Sequence, residues 1–175
     1  DMCAFVVPHD PRWKTAFEDQ AKAIERALGT TPIQLHHIGS TAIPGILAKP
    51  IIDLLGTVHH LDDMDAKAHA LESLGYEVMG AYGIDGRRYF RKLDRDGTPT
   101  HHLHVFEQGS QHAERHLAFR DYLIAHPEVA KDYSALKERL TKDSAVTWDS
   151  YMDGKEPFVN LVEPKAVDWF RKRTR

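Results

Sequence analysis

Three side chains open the chemistry of this 175-residue sequence: Asp53 within "IIDLL", and His102 and His104 within "THHLHVF". An unpartnered carboxylate in an apolar run costs several kcal/mol to bury, so Asp53 calls for a partner. Period-two alternation sends His102 and His104 to one face of a strand and His101, Leu103 and Val105 to the other. Two imidazoles so placed can ligate one metal if a third ligand comes from elsewhere, and Asp53 on a neighbouring strand is the natural candidate. The bland alternative leaves Asp53 satisfied by backbone amides and the histidines as a polar sheet face.

Upstream of Asp53 runs "HHIGSTAIPGILAKP". Glycine lets backbone approach a phosphate closely, and the Ser40 hydroxyl with neighbouring amides can donate to its oxygens. A carboxylate on the adjacent strand can then hold a magnesium ion bridging those phosphates. Gly39, Ser40 and Asp53 have that order, and Lys49 adds a positive charge at the mouth of the loop. In "RRYFRK", Arg87, Tyr89 and Arg91 share one face, and Arg88, Phe90 and Lys92 the other. With Phe90 facing the core, Arg88 is expected to reach inward towards an anion; the rival is a solvated strand with snorkelling arginines. Arg120 and Asp121 point differently on a helix, each expected to pair with another group. Lys137, Tyr151 and Lys155 are pocket candidates for which surface placement is the default.

These side chains need elements to hold them. Asp10-Pro11 starts a helix over 11–28, with Trp13, Phe17, Ala21, Ile24 and Leu28 inward and Gly29 as its stop. Residues 33–38 and 49–58 read as strands, the second too apolar on both sides for a surface. A helix capped at Asp62 or Asp63 buries Met64, Ala68, Leu71 and Leu74 and ends at Gly75. A short strand follows over 76–79. "DRDGTP" then joins two alternating runs as a hairpin. Two helices over 110–142 present Leu117, Tyr122, Leu136 and Leu140 to a core. A last one starts at Glu156-Pro157, with Pro164 expected to kink or divide it. The order describes one α+β domain over 1–175, sheet-rich over about 30–108 and helical over about 110–173.

Composition narrows the function. Hydrophobic and charged fractions of 42% and 28%, with a net charge of −3, fit a globular protein without a nucleic-acid or membrane partner. The basic "RKRTR" end reads as solvated. One cysteine, Cys3, allows no internal disulfide and points to a reducing cytosol. A first residue of Asp rather than Met suggests a trimmed start or a piece of a longer chain.

From "VVPHDPRW" through "HHIGSTAIPGILAKPIIDLL", "RRYFRK", "THHLHVF" and "RHLAFRDYLIAHPEVAKDYSALKERL", the chain resembles the GrpB family. That domain is also found fused behind dephospho-CoA kinase in some bacteria. The resemblance implies a nucleotidyltransferase fold, a mixed sheet flanked by helices. It implies a nucleotide triphosphate or other anionic small molecule, with a divalent metal, magnesium or manganese, zinc or nickel being the alternatives. On this reading Asp53, Lys49 and Arg88 are catalytic; Gly39, Ser40, Thr41, Tyr89, Arg120, Lys137 and Lys155 bind substrate; Asp53, His102 and His104 hold the metal. The general pattern of the nucleotidyltransferase superfamily, to which the resemblance assigns the family, puts a second acid two residues after Asp53, where this chain has Leu55. Two-metal transfer needs at least two carboxylates, so the imidazoles would have to replace one. The reaction implied is nucleotidyl or related group transfer. The rivals are a non-catalytic nucleotide-binding module serving a partner or fused enzyme, and a metal-dependent ligase-like or hydrolytic enzyme.

Overall fold

The computed structural model describes residues 6–174. They group into two compact units, one holding the sheet (Pro11–Gly39 and Ile51–Ala113) and one mainly helical (residues before Pro11, Ser40–Pro50 and Glu114 onward).

In the sheet unit, helix α1 (Arg12–Leu28) buries Trp13, Ala21, Ile24 and Leu28, the stripe expected from their spacing. Its start falls at Arg12, with Pro11 in the cap position, and Gly29 closes it at φ 60° with its N–H on the Arg26 and Glu25 carbonyls. Strands β1 (Gln34–Ile38), β2 (Ile52–Val58), β3 (Tyr76–Val78), β4 (Arg87–Leu93) and β5 (Pro99–Glu107) form one sheet in the order β1-β2-β5-β4-β3. Only the β2–β5 pair is parallel. Strand β2 lies between two neighbours and is buried along most of its length, which is why its sequence is a near-continuous apolar run. The β4–β5 hairpin forms as expected; Asp94 Oδ1 accepts from the N–H groups of Asp96 and Thr98, and Gly97 takes φ 80°.

The single helix expected after Asp62 is two, α2 (Leu61–Asp65) and α3 (Ala68–Ser73), with His60 rather than an aspartate at the cap position. At the break the N–H of Lys67 bonds to the Met64 carbonyl and that of Ala70 to Lys67, tightening the chain to i→i+3 spacing. Met64 and Leu71 remain fully buried on either side.

His101 sits opposite Lys92 and Ile52 with Thr100 Oγ1 2.8 Å from its Nδ1. Burial, then the charges of Lys92 and His102, lower its pKa to about 4 from the ordinary 6.5. Between those values the unfolded chain takes up a proton that the folded chain refuses, so stability falls as pH falls through that window. His101→Asn, which keeps an acceptor near Nδ1, should remove about 1–2 kcal/mol of the loss between pH 7 and 4.5 in urea titrations, the full shift being reduced by solvent screening of this part-buried ring. Parallel pH curves for the two proteins would contradict it.

In the helical unit, α4 (Gln111–Ala125), α5 (Pro127–Thr141) and α6 (Trp148–Arg173) pack around Ile43, Ile46, Leu123, Ala130, Tyr133 and Val162. A second cluster joins Val6, Val146 and Tyr151, with Leu47 and Leu140 against it. Tyr122 and Leu140 pack on these clusters as expected, but the buried face of α5 is Ala130, Tyr133 and Lys137. Helix α6 departs most from expectation. It begins eight residues before Glu156, behind a capping box in which the Ser150 N–H donates to Thr147 Oγ1, and Pro164 does not divide it. Pro157 and Pro164 are both exposed, as are Asp153 and Asn160, whose carbonyls lose their partners at i+4. Seven residues is close to two turns, so both prolines lie on one solvated face where water satisfies the freed carbonyls.

Candidate functional site

The sheet register builds the first group of side chains. Ile38 pairs with Asp53 and Asp53 with His102, while His104 pairs with Tyr89. Residues paired across strands share a face, so Asp53, His102, His104 and Tyr89 project together. Asp53 Oδ1 lies 3.4 Å from His104 Nε2 and 3.5 Å from His102 Nδ1. Burial by itself would raise the Asp53 carboxyl. The hydrogen bonds and charges of the two imidazoles outweigh it and hold the group well below the usual carboxylate range. The acid in the apolar strand therefore has its partners, one strand away.

Gly39, at the end of β1, has φ 75°, and a β-carbon there would stand 2.6 Å from Asp53 Oδ2 and 3.2 Å from its Cβ and Cγ. Both the left-handed backbone and the approach of the carboxylate require glycine. Gly39→Ala should cost about 2–4 kcal/mol, from left-handed strain plus overpacking. Thermal melts would measure that cost, and imidazole NMR resonances of His102 and His104 would shift as Asp53 is pushed aside. Unmoved imidazole signals would contradict the second effect.

Tyr89 is buried, its ring 5.3 Å from that of His104 and 5.6 Å from that of His102. Burial, then the charge of Asp53, pushes its hydroxyl up to about 12. Arg87, also buried, stands 4.9 Å over the Tyr89 ring. Arg88 is a correction. It projects from the opposite face, where its Nε donates to Asp65 Oδ1 at 2.7 Å and its Nη2 to Asp65 Oδ2 at 3.1 Å. Phe90 does point to a core, but to the face away from Asp53, and it takes Arg88 with it. Alternation and the hairpin register bring Arg87 and Arg91 to the Asp53 face; Arg91 pairs with His102 and its Nε donates to Glu77 Oε2 at 2.9 Å.

The three expected metal ligands meet on one face of the sheet. Both imidazoles are directed at one oxygen of Asp53 at hydrogen-bonding range. Among the described residues no three histidine, cysteine or acidic side chains are disposed to hold an ion. Leu55 takes the second acid's place with none of its surface exposed.

The helical unit carries a second group. Ser40 opens a short 3₁₀ turn over Ser40–Ala42, in which Thr41 is buried. Lys137, on the inner face of α5, is 2% exposed; its Nζ donates to Ser40 Oγ and, at 3.2 Å, to the Leu47 carbonyl, and lies 4.3 Å over the Tyr133 ring. A buried ammonium is costly unless hydrogen bonds and an aromatic face compensate it, as these do. Lys155 lies 4.6 Å over Tyr151, and Lys49 3.4 Å over Trp148. Arg120 bonds to its neighbour Asp121 at 2.8 Å, and Asp121 also meets Arg173.

Arg87 and the Leu47 carbonyl are not among the residues expected from sequence. Arg87 is legible in principle from alternation; the Leu47 carbonyl depends on loop conformation and has no sequence signal.

Residues 4–165 match the family model described as GrpB protein. The chain is 38% identical over 168 residues to UPF0157 protein YqkA of Bacillus subtilis (strain 168), covering 96% of this chain and 48% of YqkA. It therefore spans about half the length of that relative. It is 37% identical over 160 residues to glutamate-rich protein GrpB of Alkalihalophilus pseudofirmus, covering 90% of this chain and 92% of that protein. A dephospho-CoA kinase of Mycolicibacterium paratuberculosis is 27% identical over 187 residues, 94% of this chain but 46% of the kinase. The domain thus also occurs fused within a dephospho-CoA kinase chain. The crystal structure of GrpB from Enterococcus faecalis superposes with a TM-score of 0.88 at 37% identity, over 94% of this chain and 98% of that one. Cid1 poly(U) polymerase with Mg and 3′-dATP bound superposes with a TM-score of 0.53 at 12% identity, over 85% of this chain and 49% of that one. This second likeness is one of fold. No helix among the described residues is long and apolar enough to cross a membrane. By the family model and its near full-length likenesses the chain belongs to the GrpB family, on a nucleotidyltransferase-like α+β fold.

Proposed function

We propose that the chain binds a nucleotide or a closely similar phosphorylated or carboxylated small molecule and transfers a nucleotidyl or related group from it. The observation that carries the reading is the buried Lys137 ammonium held against Ser40. A serine hydroxyl and a lysine in so dry a setting suit phosphate or carboxylate oxygens, which they meet with charge-assisted hydrogen bonds. Lys49 and Lys155, each over an aromatic ring, are further cations of the same unit. The fold supports a nucleotide over other anions.

Asp53, His102 and His104 supply proton chemistry. The carboxylate accepts from the imidazoles, fixes their orientation and stabilises whichever becomes charged. An imidazole nitrogen turned away from Asp53 is then the base for an acceptor hydroxyl. Magnesium or manganese would arrive with a nucleotide's phosphates and would supply charge stabilisation there. Arg88 has no part, being committed to Asp65.

One observation favours a second reading, a nucleotide-binding module without turnover: Leu55 is fully buried where the superfamily pattern has an acid. Both are tested by calorimetry with the four ribonucleoside triphosphates and inorganic tripolyphosphate, followed by label transfer from α-labelled nucleotides to hydroxyl- and amine-bearing acceptors. Binding with transfer supports the first reading and binding alone the second. Failure of every probe to bind at millimolar concentration would overturn both.

A further inference from the structure

The loop before β4, "GAYGIDG", contains an arrangement that neither the fold nor the acid–base group requires. The Ile84 N–H bonds to the Ala81 carbonyl, closing a turn whose central residues are Tyr82 at φ 48° and Gly83 at φ 87°. Two consecutive positive φ values define the type I′ turn, whose first central position favours asparagine, aspartate or glycine. Here a tyrosine occupies it, the one non-glycine residue with positive φ among those described. Its side chain does not repay the strain by burial, since Tyr82 is 58% exposed.

The neighbours hold this unfavourable conformation in place. The buried Arg87 donates from Nε to the Ala81 carbonyl at 3.1 Å and from Nη2 to the Tyr82 carbonyl at 2.8 Å. The loop is also tied to Tyr89, whose N–H bonds to the Gly80 carbonyl at 2.8 Å and whose carbonyl accepts from Met79. The product is an aligned stack: the Tyr82 ring lies 5.2 Å from that of Tyr89 at an interplanar angle of 13°. Tyr89 in turn touches both imidazoles that hold Asp53. A flat aromatic surface, fixed by a buried arginine and left open to solvent, thus continues directly from the candidate acid–base group.

Strain that is over-determined by its surroundings, at a side chain left 58% exposed, is characteristic of ligand clamps. We infer that Tyr82, backed by Tyr89, is the stacking platform for an aromatic ring carried by the ligand, and so selects purine or pyrimidine nucleoside phosphates over phosphorylated sugars and simple organic acids. The inference rests on the nucleotide reading above and deepens it.

Tyr82→Asn removes the ring while placing a favoured residue in the type I′ turn, and Tyr82→Trp keeps a stacking face. Calorimetry on the full chain uses the ribonucleoside triphosphates and inorganic tripolyphosphate as probes. For a triphosphate that wild type binds, Tyr82→Asn should weaken affinity by about 5- to 100-fold, the usual weight of one stacked base, and Tyr82→Trp should restore it. Tripolyphosphate affinity should be unchanged, and the asparagine variant should melt no lower than wild type, whereas a purely structural tyrosine would lower the melt. Unchanged nucleotide affinity in Tyr82→Asn, with Ser40→Ala weakening both probes, would overturn the platform and leave the phosphate reading intact. Wild type that binds tripolyphosphate as tightly as every nucleotide would overturn the platform too. Wild type that binds neither probe would remove both.

Discussion

Asp53→Asn should lower group transfer by on the order of 10³–10⁴, the effect expected when a carboxylate that orients a catalytic imidazole loses its charge, with nucleotide affinity within about threefold of wild type. The asparagine is isosteric and still offers an oxygen to His102 and His104, so the loss reports charge rather than shape. Single-turnover rates and binding should therefore separate, kcat falling while Kd holds. A second consequence follows from the carboxyl being held well below its usual range by the two imidazoles. Asp53 is then ionised throughout about pH 5–8, so protonation of this carboxyl should not shape the wild-type pH–rate profile in that range. Equal, measurable rates in the two proteins would remove Asp53 from the chemistry.

How far such residues can be read from sequence depends on the range of the interaction that places them. Asp53, His102 and His104 were legible because a two-residue period decides which face a strand residue takes, and hairpin turn chemistry marks where β4 and β5 meet. The same alternation does not by itself place Arg88. Both faces of β4 carry buried side chains, Tyr89 on one and Phe90 on the other, so an inward-pointing aromatic did not identify the face of Asp53. Helix α1 followed from its apolar spacing alone. Helix α6 did not, since proline was weighed as an interior breaker, whereas its cost depends on whether the freed carbonyl meets solvent, and that is a tertiary fact. That Asp53, His102 and His104 meet follows from residue type and spacing, whereas the approach of both imidazoles to one carboxylate oxygen, at 3.4 and 3.5 Å, is set by rotamers that spacing does not fix. Tyr82 was invisible because φ has no signature in a residue type that normally avoids the left-handed region.

Lys137 shows the opposite failure, a lysine taken as surface by default and found buried, and its removal is the second large effect expected. Lys137→Met keeps the length and volume of the stem, so packing beside Tyr133 survives. What is lost is the ammonium with its bonds to Ser40 Oγ and the Leu47 carbonyl. A hydrogen bond to a charged group contributes about 1.5–3 kcal/mol, so affinity for nucleotides and for tripolyphosphate should both fall by about 10- to 150-fold. Stability should move less, because the bonds removed are offset by no longer burying a charge. Two measurements on one variant therefore point in different directions, a large loss in calorimetry and a small shift in the melt. Lysine as a structural pin predicts the reverse, a collapsed melt with tripolyphosphate affinity preserved in the fraction that remains folded, and that result would detach Lys137 from the anion. Lys137→Arg sharpens the contrast. It retains the charge, but its planar fork cannot occupy the compact position over Tyr133 without displacing Ser40, so affinity should be only partly recovered.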